Sequence, residues 1–115
     1  MTTIYHNPRC SKSRQTLSLI EAQGISPTII HYLDTPPDAC TLTQILQKLG
    51  LGAREIIRTG EAAYKEQQLD DASLSETALI EAMIAFPKLI ERPIVVKGEK
   101  AILGRPPENV LTLLT

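Results

Sequence analysis

Apolar residues mark β-favouring runs and helical stretches at both ends of this chain and helical stretches alone through the middle. "TTIYH" (2–6) is short and β-favouring, and "NPRCS" breaks it. A helix is predicted from about Ser11 to Gln23, where Leu17, Ile20 and Glu21–Ala22 keep a helical period and Gly24 is a C-terminal stop. "PTIIHYL" (27–33) is the strongest strand signal, β-branched and aromatic, bounded by Pro27 and the turn-forming "DTPPD". From Thr41 to Ile90 the segments "TLTQILQKLGL", "AREIIRT", "EAAYKEQQL" and "SETALIEAMIAF" are all helical in composition. They break at Gly50, Gly60 and "DDAS", where Ser73 or Ser75 is the candidate cap; Ser73 has Glu76 in capping-box spacing. Beyond Pro87, "RPIVVKGEKAILGRPP" predicts a β-hairpin, "PIVV" and "AIL", turned at "KGEK". "PPENVLTLLT" predicts a closing helix with proline in its first turn.

The predicted order is β-α-β, a helical block, then β-β-α, which is the order of a small α/β layer fold with a mixed sheet. The block, about residues 41–90, is an insertion between the two halves of one domain spanning 1–115. That length carries a hydrophobic core without staples. No internal repeat, low-complexity tract or linker interrupts it.

Charge changes the picture only locally. The net charge of −1 gives no footprint for nucleic acid or an anionic membrane. Residues 1–60 carry six Lys or Arg against four Asp or Glu, and the excess matters because Arg9, Lys12 and Arg14 crowd around Cys10. "MTTIYHNP" lacks a signal-peptide pattern and no apolar run approaches ~20 residues, so export and membrane insertion are not expected. Two cysteines, Cys10 and Cys40, make no disulfide framework, and a reducing cytoplasm is the expected compartment. Nothing in the pattern demands an oligomer, and a monomer is expected.

A cysteine at the start of a helix faces unpaired backbone N–H groups and the positive end of the helix dipole, both of which favour thiolate. The neighbouring cations act in the same direction, and His6 precedes Cys10 by only four residues. Cys10 therefore reads as a nucleophile rather than a buried, inert thiol. His6 is either its helper or a satisfied core residue at the end of a strand. Position 13, where a C-x-x-C motif would carry its second cysteine, is serine, so Cys10 has no local resolving partner. Cys40, in "PPDACT", reads as a loop bystander. Arg58, Arg92 and Arg105 follow or precede apolar segments, and the last two bracket the predicted hairpin, each before a proline. Singly each reads as a solvated surface residue; converging on one thiolate, they would bind a tetrahedral oxyanion.

Four stretches, "IYHNPRCSKSR" (4–14), "PTIIHYLDTPP" (27–37), "REIIRTGEAAYKE" (54–66) and "ERPIVVKGEKAILGRPPE" (91–108), closely resemble the thioredoxin-fold arsenate reductases that draw on glutathione and glutaredoxin. The resemblance runs nearly end to end. It implies a thioredoxin-like mixed β-sheet flanked by helices, with the helical insertion between its βαβ and ββα halves. It also implies that Cys10 attacks arsenate to form a thiol-arsenate adduct and that His6 helps lower the thiol pKa. Arg58, Arg92 and Arg105 match the arginines that hold the oxyanion, and Pro93 matches the cis-proline beside the active cysteine. Ser13 and Arg14 match the supporting residues of the first helical turn. The partners implied are arsenate, glutathione as co-substrate and glutaredoxin, with no bound cofactor and no metal.

Two other readings compete. A glutathione-dependent thiol-disulfide oxidoreductase would use Cys10 equally well but has no need of an arginine trio. A non-enzymatic redox regulator that binds RNA polymerase would need a resolving cysteine close to the first, and Ser13 denies it one.

Overall fold

The computed structural model describes residues 1–114. The chain divides into two compact units, one formed by residues 1–35 with the chain from Arg92 on, the other by Pro36–Glu91.

In the first unit, β1 (Thr2–His6), α1 (Ser11–Ala22) and β2 (Thr28–His31) are completed by β3 (Ile94–Lys97), β4 (Lys100–Leu103) and α6 (Val110–Leu114). Strand order is β2-β1-β3-β4, with β1 and β2 parallel and the other pairs antiparallel. This is the thioredoxin-like mixed sheet that the family motifs imply. Ile4 lies opposite Ile29 on one side and Val95 on the other. β1 is paired along both edges and is mostly buried, whereas β2, at the sheet edge, leaves Ile29 40% exposed. Ile4 and Val95 pack with Ile20 of α1 and with Val110 and Leu113 of α6, which forms this unit's core. Complete burial of such a side chain contributes about 1.5–3 kcal/mol.

The strand expected over 27–33 ends at His31, because its partner β1 ends at His6, directly opposite. With no ladder left, the chain turns: the N–H groups of Asp34 and Thr35 both donate to the His31 carbonyl, and Tyr32 goes inward, 2% exposed. The hairpin turns at Gly98, whose φ of 61° lies in the left-handed region. The expected closing helix starts as a tight turn at Pro107–Asn109 and continues as α6; its last expected residue, Thr115, lies outside the described residues.

The second unit holds α2 (Ala39–Leu49), α3 (Ala53–Ile56), α4 (Ala62–Glu66) and α5 (Glu76–Ala85). Helix α2 is capped by Asp38, whose Oδ1 accepts the Thr41 N–H at 2.7 Å, and ends at Gly50, φ 71°. Of the two candidate caps for α5, Ser75 does the work, accepting the Ala78 N–H at 3.1 Å. Ser73 is instead drawn into a local turn, its N–H and hydroxyl both donating to Asp71 Oδ1. Glu76 reaches a different helix start, accepting the Ala53 N–H at 2.8 Å. Leu42, Ile45, Ile56, Leu79 and Met83 are among its buried side chains.

Candidate active site

The loop between β1 and α1 is held by its own backbone. The Cys10 N–H donates to the Asn7 carbonyl at 3.0 Å, and the Arg9 N–H to Asn7 Oδ1 at 3.0 Å. Cys10 takes the N-cap position of α1 with extended backbone, and its carbonyl accepts the Arg14 N–H. A serine or aspartate here would normally satisfy the free amides. The cysteine sulfur closes no N-cap hydrogen bond of ordinary geometry, so the amides of the first turn act on it as oriented dipoles.

Burial raises the pKa of the Cys10 thiol, but the Ser13 N–H, the Arg92 guanidinium and the Lys12 N–H together outweigh it and hold the thiol below its usual range. The thiol is free and partly exposed. An incoming electrophile can therefore reach a sulfur whose surroundings favour ionisation.

Ser13, wholly buried, is the hinge of the site's polar contacts. Its Oγ accepts the Asn7 N–H at 3.0 Å and lies 2.6 Å from His6 Nδ1. The hydroxyl and the ring nitrogen share one hydrogen bond, whose direction is set by the imidazole tautomer. Burial, then the charges of His31 and Arg14, lower the His6 pKa and keep the ring neutral at pH 7. The structure thus links His6 to the cysteine loop through Ser13. His31, which sequence reasoning passed over, stands opposite His6 in the strand register with ring centroids 5.9 Å apart. Nothing local could have signalled that pairing; only the β1–β2 register creates it.

Two of the three candidate arginines gather in this unit. The Arg92 guanidinium lies close enough to the thiol for its charge to favour ionisation of the sulfur. The Arg92 carbonyl accepts from Arg105 Nη1 at 3.2 Å, so the backbone of one arginine positions the side chain of the other. The Arg92–Pro93 peptide is cis, and so is Arg105–Pro106, which sequence reading did not anticipate. Gly104, also missed, is the point of closest packing behind them. A Cβ there would lie 2.5 Å from Thr16 Oγ1 and 2.7 Å from Pro93 Cγ. The Gly104 N–H donates to the Pro93 carbonyl, which ties β4 to the cis-proline turn. Arg14 braces the loop from α1, with Nη1 donating to the Pro8 carbonyl at 2.9 Å.

Arg58 belongs to the helical unit. There its Nη1 pairs with Glu61 at 2.9 Å and its Nε lies 3.9 Å from Glu91. Cys40 is an exposed free thiol on the first turn of α2. Among the described residues, no three His, Cys, Asp or Glu side chains are grouped to hold a metal ion. Nor is any helix among them long and apolar enough to cross a membrane.

Known proteins resemble this chain over nearly its whole length. The model of the ArsC family matches residues 5–113. The chain is 57% identical over 112 residues to the "Uncharacterized protein YfgD" of Escherichia coli, covering 96% of this chain and 94% of that one. It is 50% identical to an arsenate reductase of Neisseria meningitidis serogroup A, covering 96% of each. The solved structure of an arsenate reductase from Vibrio cholerae superimposes with a TM-score of 0.94 at 54% identity, covering 96% of this chain and 95% of that one.

Proposed function

Since the chain belongs to the ArsC family, we propose that it is an arsenate reductase with Cys10 as its single nucleophile. One observation carries the reading: a thiol held below its usual pKa beside Arg92, whose carbonyl in turn positions Arg105. A thiol beside the Arg92 guanidinium, with the Arg105 side chain held on the Arg92 carbonyl, suits a tetrahedral oxyanion, since the cations would neutralise the dianion and the charge that builds on it. A reductase of ordinary mixed disulfides needs no such pair.

The Cys10 thiolate attacks arsenic and an arsenate hydroxyl, taking up one proton from solvent, leaves as water, giving a Cys10 S–As(V) adduct. A thiol then attacks the Cys10 sulfur. The S–As bond breaks with its electron pair going to arsenic, which leaves as arsenite, As(III), and a mixed disulfide remains on Cys10. A second thiol exchanges with that disulfide, releasing the Cys10 thiolate and an external disulfide. Ser13 stands where a local resolving cysteine would be, so both reducing thiols are external; glutathione supplies the first and glutaredoxin the second, in the cytoplasm. The family resemblance assigns Arg58 to the same oxyanion, and Arg58→Ala tests that assignment through the KM for arsenate.

The test is arsenate-dependent NADPH oxidation in the presence of glutathione, glutaredoxin and glutathione reductase, beside a Cys10→Ser control. Turnover that vanishes in the control is expected. No arsenate turnover, with wild-type Cys10 still reducing glutathione mixed disulfides, would move the function to thiol-disulfide exchange.

A further inference from the structure

The reaction needs an external thiol, and α1 carries an open groove whose lining begins at Ser11, the residue after the nucleophile. Ser11, Gln15, Ser18 and Ala22 recur at intervals of three and four and form one stripe along the helix. The other wall is Pro107 and Glu108, two and three residues beyond Arg105, so the groove starts where the cysteine loop and the Arg105 turn meet α1. Its volume of about 560 Å3 lies within the ~300–1,000 Å3 of small-ligand sites. Leu19 and Ala22 make its apolar base at the end away from Cys10.

The charges in the groove name the ligand class. Arg14, its guanidinium anchored on the Pro8 carbonyl, offers a cation near the cysteine end, and Glu108 offers an exposed carboxylate on the opposite wall. The neutral hydrogen-bonding side chains of Gln15 and Ser18 line the same groove. A protein partner docking on a flat apolar face would not require this opposed pair. A small zwitterion with carboxylate, amide and ammonium groups matches it.

We propose that the groove between α1 and the Pro107–Asn109 turn is the seat of a small zwitterionic peptide thiol of the glutathione class, with carboxylate on Arg14, ammonium on Glu108 and sulfur directed past Ser11 to Cys10. This rests on the reductase reading and locates the first reducing thiol within it. The bound thiol attacks the Cys10 sulfur of the adduct; its proton passes to the departing arsenite, and the mixed disulfide forms without the ligand leaving the groove.

S-methylglutathione, which cannot react, is the probe for the intact protein by amide NMR. Saturable shifts at Ser11, Gln15, Ser18 and Glu108 are expected, and Ser18→Trp, which fills the groove from an exposed position, removes them. Glu108→Gln weakens the affinity about threefold to fivefold, the measure of one exposed ion pair. The N-acetylated probe, lacking the ammonium, then binds wild type and Glu108→Gln equally. Shifts confined to another face, or a groove that responds only to oxidised glutaredoxin, overturn the proposal. The two readings fail separately. Saturable groove binding without arsenate turnover sinks the reductase and keeps the site; arsenate turnover whose glutathione KM is unchanged in Ser18→Trp does the reverse.

Discussion

Helices α1 and α2 each carry a free cysteine on or before their first turn, yet the two helix starts are built differently. At α2, Asp38 caps the helix, its carboxylate accepting the Thr41 N–H at 2.7 Å, and Cys40 stands two residues inside, exposed. At α1 the cysteine occupies the cap position itself, no side chain closes the cap, and the Ser13 and Lys12 amides together with Arg92 favour its thiolate. A helix dipole is common to both. What differs is whether a carboxylate has already taken the amides and whether a guanidinium stands opposite. A helix start makes a nucleophile only when both conditions favour the sulfur.

The comparison breaks most sharply on the cysteines. Cys10→Ser is expected to lower arsenate turnover on the order of a thousandfold or more, as loss of a nucleophile does, while Cys40→Ser leaves kcat unchanged in the coupled assay. Equal losses in both would erase the distinction between the two helix starts.

Arg92→Leu comes next, lowering kcat/KM for arsenate by about 10²–10³-fold, the effect of removing one charge-stabilising donor. It also moves the acid limb of the pH-rate profile up, towards the pH of an ordinary thiol. The sign follows from the Cys10 pKa being lower folded than unfolded. The thiolate's contribution to stability is complete above the unfolded thiol pKa and is lost as pH falls through the folded one. Iodoacetamide labelling of Cys10 against pH reads the shift directly. An unmoved limb would mean the amides alone hold the thiolate.

The scaffold behind α1 gives smaller effects. Gly104→Ala drives a methyl against Thr16 and Pro93 and is expected to destabilise by about 1–3 kcal/mol, read by urea unfolding. Ser13→Ala leaves the Asn7 N–H and His6 Nδ1 without the hydroxyl between them and costs about 1–3 kcal/mol. A silent Gly104→Ala would show that β4 can withdraw from α1 freely.

Asp38→Ala, the smallest change, sharpens the comparison. Loss of the cap lowers stability slightly and frees the α2 amides, so Cys40 labelling accelerates; still it stays slower than Cys10, which keeps Arg92. If Cys40 labels no faster, the cap is not what separates the two sites.

Much of this was legible in the chain because it depends on neighbours within a turn or two. The start of α1 at Ser11, the stop at Gly24, the breaks at Gly50 and the turn at Gly98 all follow from local preference and appear in the structure. Local signals failed where two partners competed for one group. Ser73 has the spacing of a capping box, but Asp71, two residues away, takes its N–H and hydroxyl, and Ser75 caps instead. "PTIIHYL" has the composition of a long strand, but its length is set by β1, which ends at His6.

By itself, then, the order of residues determined where helices begin, that Cys10 stands at such a beginning with serine three residues on, and which arginines flank the closing hairpin. Only the tertiary structure decided what each met. Thr16 and Gly104, 88 residues apart, meet through the packing of α1 on β4. His31 faces His6 through parallel register, and Arg105 hangs from the carbonyl of Arg92. Arg58, which follows an apolar pair, makes its ion pairs with Glu61 and Glu91 in the helical unit. A residue's type sets what it can bond; the fold sets what stands within 3 Å of it, and a thiol's pKa depends on the second.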